Sequence, residues 1–209
     1  MRIVDGLKLK GRPAEIPDVS RYDLPQYCLD MGYKMAVEIG VAQAQYTEHF
    51  CKAGIFIFGV DPWEDYPEID LKDDYTRDFL ERAYDKSKRR LSPYTNQKLL
   101  KMTSVEALKL FPDGSVDFVY IDGNHCLKYV IEDLCNWWVK LKKGGTMAGH
   151  DYIHPRRLRN RDDNMHVKFA VDAFVEAYGI KNWFLLGRHA TLPGEKRDKP
   201  TRSWMWLKE

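Results

Sequence analysis

The sequence predicts an α/β protein: a doubly wound, mostly parallel sheet of seven strands, the last one antiparallel, with helices on both faces. Three observations carry this. Short apolar runs alternate with stretches of helical spacing along the chain. The connections have the length of parallel crossovers, which are right-handed in nearly all cases. Several runs stop at an acid or a histidine, at Asp61, at Asp122 and at His150-Asp151. In an open α/β sheet ligands sit outside the carboxyl ends of the strands, so charged residues there are placed for chemistry rather than packing.

Size and composition fit one domain spanning residues 1–209, with 44% hydrophobic and 31% charged residues. A net charge of +2 gives no reason to expect a nucleic-acid partner. No apolar run approaches the length of a membrane span, and the start of the chain lacks the apolar core of a signal peptide. A cytoplasmic location follows as the expectation. Cys28, Cys51, Cys126 and Cys135 form no C-x-x-C pair and read as reduced thiols.

Residues 1–20, with Pro13 and Pro17, read as an N-terminal arm or lid. Asp23 is placed to cap a helix through Leu24, Tyr27, Cys28 and Met31 that stops at Gly32. Residues 35–41 form a strand followed by a glycine turn; residues 47–51 continue as a helix to Gly54, and 55–61 form the next strand. A loop from Pro62 and Trp63 is dense in acids, among them Glu64, Asp65, Glu68 and Asp70. A helix is expected from Asp74, with Tyr75, Phe79 and Ala83 on one face, to Leu91. Lys86, Lys88, Arg89 and Arg90 complement its dipole.

Residues 97–102 are the third strand, and Ser104 is expected to cap a helix through Leu110. The strand ending at Asp122 follows the turn at 112–115. Val130, Leu134, Trp137 and Leu141 mark one face of a helix over 129–141, and Lys142-Lys143-Gly144-Gly145 is its stop. The fifth strand ends at His150-Asp151. A polar loop with Arg156, Arg157, Arg159 and Arg161 leads to a helix over 168–178 closed by Gly179. Residues 183–186 and 203–207 then form an antiparallel pair at the sheet edge.

Glu38-x-Gly40 follows a strand, and Asp61 ends the next one. Glycine lets a ligand approach the backbone, and an acid at the second strand end accepts hydrogen bonds from ribose hydroxyls. A dinucleotide asks for glycines at 40, 42 and 45, where this chain has Gly40, Ala42 and Gln45. An S-adenosylmethionine site prefers Glu-x-Gly-x-x-x-Gly; Glu38 and Gly40 match it, and Ala44 replaces the last glycine. A glycine turn without a cofactor stays open on these residues alone.

Glu38-Ile39-Gly40-Val41, Val60-Asp61-Pro62-Trp63, 117–125 through Asp122-Gly123-Asn124-His125, and 141–152 through Gly149-His150-Asp151-Tyr152 stand in one order and spacing. Together they resemble a class I S-adenosylmethionine-dependent methyltransferase. The small-molecule branch with macrocin O-methyltransferases and cephalosporin-hydroxylase-like proteins is the nearest in pattern, over about residues 24–207. The resemblance implies a Rossmann-like sheet and S-adenosylmethionine as cofactor. It puts Glu38 and Gly40 along the methionine part, with Ala42 and Ala44 on the same loop and Ala42 among the cofactor contacts, and Asp61 on the ribose. Trp63 packs nearby, Ser104 lies beside the adenine, and Asp122 stands between cofactor and acceptor.

A second constellation joins Asp122, His125, His150 and Asp151. Relatives of this kind hold a divalent ion with carboxylates there, which implies Asp122, His150 and Asp151 as metal ligands for magnesium, manganese or a similar ion. Without a metal, His125 or His150 would serve as general base, so the catalytic candidates are Asp122, His125 and His150. The expected reaction is in-line methyl transfer to a hydroxyl of a small molecule, with the loop 156–161 closing over the acceptor. An NAD-dependent oxidoreductase, and a nucleoside-binding relative without turnover, remain as alternatives. A second copy of the chain is left open as a partner; nucleic acid and membrane are not expected.

Overall fold

Eight strands form one sheet: β1 (Ala14–Ile16), β2 (Met35–Ile39), β3 (Phe56–Asp61), β4 (Gln97–Lys101), β5 (Val116–Ile121), β6 (Leu141–Gly149), β7 (Trp183–Leu186) and β8 (Trp204–Leu207). They belong to a computed structural model that describes residues 1–64, 77–157, 164–198 and 201–209. Asp65, Glu68 and Asp70 of the acid-rich loop, the helix start at Asp74 and Tyr75, and Arg159 and Arg161 lie outside the described residues.

The order across the sheet is β1-β7-β8-β6-β5-β2-β3-β4. All pairings are parallel except those of β8 with β6 and β7. The middle strands are covered on both faces, as parallel sheets require, and every residue of β5 is buried. The expected doubly wound, mostly parallel sheet is present, with one strand more than the seven expected. The addition comes from the N-terminal arm, which carries a short helix, α1 (Ile3–Gly6), and then β1. Ala14 and Ile16 are buried as β1 pairs with β7, so the late antiparallel pair is interior and the arm closes that side of the sheet.

Period-two alternation divides the core. Val37, Ile39, Val119 and Ile121 face one layer, with Ala107 of α5 (Ser104–Ala107), Val130, Leu134 and Trp137 of α6 (Leu127–Lys140), and Val171 and Phe174 of α7 (Val167–Ala177). Ala36, Phe118 and Tyr120 face the other layer. There they meet Leu24 and Tyr27 of α2 (Leu24–Asp30), Phe50 of α3 (Thr47–Ala53), and Ala83 and Leu91 of α4 (Arg77–Leu91). No described helix is long and apolar enough to cross a membrane. All four cysteines are free, as their spacing suggested.

Two caps differ from expectation. A 3-10 turn, Arg21–Asp23, precedes α2, and Ser20 caps it in a capping box whose acid is Asp23. Asp23 therefore serves the turn and makes no side-chain cap to α2. At α5 the cap is Thr103, paired with Glu106, one residue before Ser104. The helix stop expected at 142–145 is strand: β6 begins at Leu141, and its register against β5 shifts between Val116 and Phe118. Gly145 permits that close passage, since a Cβ there would stand 2.8 Å from the Asp117 carbonyl oxygen.

Candidate functional site

β2 leads to β3 and β4 on one side, while β5 and β6 lie on the other, so the order reverses between β2 and β5. Such a reversal opens a crevice at the carboxyl ends of the strands. Gly40 sits at this point with φ of 87°. A Cβ on it would overlap the Asp122 carbonyl oxygen and stand 2.5 Å from the Gly123 Cα. Only glycine lets the turns after β2 and β5 approach this closely.

The loop beyond Gly40 is held by its own hydrogen bonds. Asp61 Oδ2 accepts from the amides of Val41 at 2.9 Å and Ala42 at 3.0 Å, and its Oδ1 accepts from the Trp63 amide at 2.7 Å. Three of a carboxylate's roughly four acceptor positions are thus occupied, leaving one toward a ligand. Burial raises the Asp61 pKa, and the three amides oppose that rise. The Ala42 carbonyl accepts from Trp63 Nε1 and Ser87 Oγ, both at 2.8 Å. Ala42 and Ala44 take φ of 49° and 56°, in the left-handed region. The Ala44 side chain is fully buried in the core on the α3 side, so its methyl does not narrow the crevice; Ala42 is exposed.

Glu38 is buried under this loop and accepts from Thr47 Oγ1 at 2.6 Å. Burial pushes its carboxyl up to about 8; the Thr47 hydroxyl opposes the rise, and the charges of Asp122 and Asp61 add to it. At neutral pH it is mostly protonated and ties β2 to the first turn of α3. Ser104 is placed at the end of the β4 side, with its hydroxyl turned inward. It donates to Asp133 Oδ1 and accepts from Trp137 Nε1 at 2.7 Å. Burial raises Asp133 to about 7, against the pull of the Ser104 hydrogen bond.

The other half of the crevice is built from the ends of β5 and β6. Ligating atoms of Asp122, His125 and Asp151 all lie within 4.8 Å of one another. His125 Nε2 stands 3.0 Å from Asp151 Oδ2 and 4.0 Å from Asp122 Oδ1. That nitrogen is buried and has no well-aligned hydrogen bond, because the Asp151 approach is close but off-line. Burial works against a charge on His125, but the adjacent carboxylates of Asp122 and Asp151 outweigh it and lift its pKa to about 10. Burial also opposes the charge on Asp151; the imidazoles of His125 and His150 beside it prevail and hold its carboxyl well below the usual range.

His150 does not join the trio. It lies on the far side of Asp151, with Nδ1 3.4 Å from Asp151 Oδ1, and the Thr201 hydroxyl is 3.3 Å from its Nε2. Asp151 has φ of 56°, which breaks the strand alternation at the end of β6. Of the residues expected as metal ligands, Asp122 and Asp151 converge, and the third converging donor is His125. Burial lowers the His150 pKa, but Asp151 and the charge of Asp122 reverse this and leave it raised.

Two residues without any local sequence signal complete the site. Arg21 reaches across from the turn before α2, with Nη1 3.5 Å from Asp122 Oδ2, and its carbonyl accepts from Tyr46 at 2.9 Å. Asp198, on the connection before β8, is buried and holds the Arg21 amide at 3.1 and 3.2 Å. Arg157, from the loop expected to close over the acceptor, lies with Nη1 2.7 Å from His189 Nε2.

A crevice at the strand reversal, with a glycine crossing, an acid at the second strand end and a cluster of acids and imidazole opposite, defines a nucleoside-cofactor enzyme of the doubly wound class. Residues 37–152, more than half of the chain, match the methyltransferase domain family, and the chain belongs to that family. It is an S-adenosylmethionine-dependent methyltransferase. Its fold is similar to that of an O-methyltransferase from Bacillus cereus in complex with S-adenosylhomocysteine (11% identity, TM-score 0.60, covering 90% of this chain and 80% of that one). The O-methyltransferase TomG from Streptomyces achromogenes, involved in tomaymycin synthesis and bound to S-adenosylmethionine, is similar at 11% identity and TM-score 0.62, over 90% of this chain and 79% of that one. An rRNA methylase from Streptococcus thermophilus reaches TM-score 0.58 at 13% identity, over 88% and 93%. No curated protein sequence matches this chain.

Proposed function

We propose that this methyltransferase acts on a hydroxyl oxygen of a small molecule, held in the β5–β6 half of the crevice, with a divalent cation among Asp122, His125 and Asp151. The observation that carries the reading is the convergence of two carboxylates and an imidazole within 4.8 Å at the strand reversal. Their donor set fits a manganese- or magnesium-type ion, and His125 Nε2, buried without an aligned hydrogen bond, would ligate the ion on giving up its proton. O-methyltransferases among the similar folds support the oxygen acceptor, and the free cysteines agree with a cytoplasmic setting.

Bound S-adenosylmethionine supplies an electrophilic methyl group whose positive charge vanishes on transfer. Gly40 and Ala42 would border its methionine part, Asp61 would offer its remaining acceptor position to the ribose, and Trp63 and Ser104 would flank the adenosine side. Glu38 is then a support of the loop rather than a ligand contact, since its carboxyl is buried under it. Asp122 borders both halves and is the residue that accepts the hydroxyl proton; in the metal-free protein His125 is already protonated and makes a poor base. A bound cation would supply Lewis-acid stabilisation of the developing alkoxide. His150 orients Asp151 from behind.

Calorimetry with S-adenosylhomocysteine, NAD and manganese tests the reading. Heat with the sulfur ligand and with manganese, and none with NAD, is expected. Full turnover in protein stripped of metal by a chelator would remove the cation, and binding of NAD alone would remove methyl transfer.

A further inference from the structure

Beyond the strand ends, the arm and the β7–β8 connection border an open cavity of about 530 Å³, lined by Arg21, Tyr22, His150, Lys196, Arg197 and Asp198 among others. None of the residues assigned to the cofactor lines it. The cavity belongs to the β6, β8, β7 and β1 side of the sheet, while the cofactor residues come from the ends of β2, β3 and β4. His150 forms part of its wall and Arg21 extends from it to Asp122, so it opens beside the proposed reaction centre.

The cations in this cavity differ in how they are satisfied. Lys196 is paired with Asp23 at 3.3 Å, and Glu195 with Arg188 at 3.3 Å, which neutralises those four groups locally. Arg21 shares its carboxylate partner, Asp122, with His125. Its side-chain hydrogen bonds, to Asp122 and to the Tyr22 hydroxyl, are both 3.5 Å long, and its Nε is buried with no acceptor. The guanidinium lies against the rings of Tyr22 and Tyr46, 5.3 and 5.5 Å from their centroids, which fixes its plane. Arg197 bonds only carbonyls among the described residues, those of Arg188 and His189, and its Nε is also buried and unpartnered. Asp198, on the same wall, is occupied by the Arg21 amide and the Ser203 hydroxyl, so it positions Arg21 instead of neutralising it.

Two guanidiniums on one cavity wall, neither with a carboxylate of its own among the described residues and each with a buried, unpartnered Nε, one of them oriented by aromatic rings, form a receptor for a planar or tetrahedral oxyanion. We propose that the methyl acceptor is an anionic hydroxylated molecule, whose carboxylate or phosphate is bound by Arg21 and Arg197 while its hydroxyl reaches Asp122. This rests on the methyl-transfer reading above and adds the acceptor's charge class to it. Arg21 has a second consequence: when an anion takes its guanidinium, the long contact to Asp122 is released, and that carboxylate becomes free for the hydroxyl proton.

The probes are gluconate, glucose 6-phosphate and glucose, which share a polyol skeleton and differ in charge. Each is titrated into protein saturated with S-adenosylhomocysteine. The expected result is that one or both anions bind at least about ten-fold more tightly than glucose, with the stronger one showing whether the anion is a carboxylate or a phosphate. Arg197→Met should remove about ten-fold or more of that preference, and Arg197→Lys should recover part of it. Thermal melting and the affinity for S-adenosylhomocysteine, measured on the same samples, report whether each variant is folded; should Arg197→Met fail there, Arg21→Gln carries the same comparison. Equal binding of the anions and glucose, or an anion preference intact in the folded variants, would overturn the proposal. Anion binding without any binding of S-adenosylhomocysteine would instead overturn the methyl-transfer reading, and the acceptor role with it.

Discussion

The two halves of the crevice are finished to different degrees. On the β2–β4 side the polar groups are engaged with the protein itself: Glu38 with Thr47, Asp61 with three amides, Ser104 with Asp133 and Trp137. On the β5–β6 side contacts are long at Arg21 and misaligned at His125. The first half is a preorganised mould whose shape is fixed before a ligand arrives. The second holds charged groups in want of partners, each at a cost of about 1–3 kcal/mol in desolvation that a ligand or cation would relieve. The difference suits a fixed cofactor facing a variable acceptor.

The sharpest way to break the mould is Gly40→Ala. The added methyl meets backbone on the β5 turn, which cannot move aside as a side chain could. We expect a loss of about 3 kcal/mol or more in urea unfolding, with S-adenosylhomocysteine binding abolished. A stable variant with unchanged affinity would show that the two turns are not locked together.

Next in size is a paired comparison of two acids. Asp61→Ala leaves three amides without their acceptor, so about 2–3 kcal/mol of stability and about ten-fold or more of S-adenosylhomocysteine affinity should be lost. Asp151→Asn should weaken manganese binding by about ten-fold or more while changing the sulfur ligand's affinity by less than about two-fold. If both variants lose both ligands equally, the division into halves fails.

Glu38 gives the comparison a pH signature. Its folded pKa, about 8, lies above the ordinary 4.5, so the native state retains a proton that the unfolded chain gives up. Stability contributed by the neutral carboxyl is full below about pH 4.5, falls as pH rises through this window and levels above about 8, a change of about 3 kcal/mol after allowance for relaxation. Glu38→Gln keeps an acceptor for Thr47 and removes the titration. Its urea midpoint should therefore change less than the wild type's between pH 5 and pH 8, which unfolding at both values measures. A parallel pH dependence in both proteins would mean that Glu38 is not the source.

How much of this was legible in the sequence follows the same division. Gly40, Asp61 and Asp122 sit where apolar runs stop, and Glu38 stands two residues before Gly40, so period and punctuation place them at or beside the strand ends. His125 and His150 could not be ranked that way, because the choice depends on the turn that Asp151 makes at φ 56°. Arg21 and Asp198 were invisible. They stand 177 positions apart in segments without hydrophobic period, and they meet where the chain after β1 runs beside the connection after β7. The arm read as a lid for the same reason: β1 has three residues, too few for a visible alternation.

The smallest predicted effect separates two alanines that look equivalent in the sequence. Ala42 and Ala44 both have positive φ, at a cost of about 1–2 kcal/mol for a residue with a Cβ. Glycine would relieve that strain but would widen the unfolded ensemble, returning about 0.4–1 kcal/mol. For exposed Ala42 the balance favours glycine by about 0.5–1 kcal/mol, or about 1–4 °C in melting temperature. For Ala44, a fully buried methyl is also given up, about 0.8 kcal/mol more, and the gain vanishes. Melting of the two single variants should thus show Ala42→Gly above wild type and Ala44→Gly close to it. The reverse order would mean that the Ala44 methyl strains the loop instead of anchoring it, and that the mould is held by the Asp61 hydrogen bonds alone.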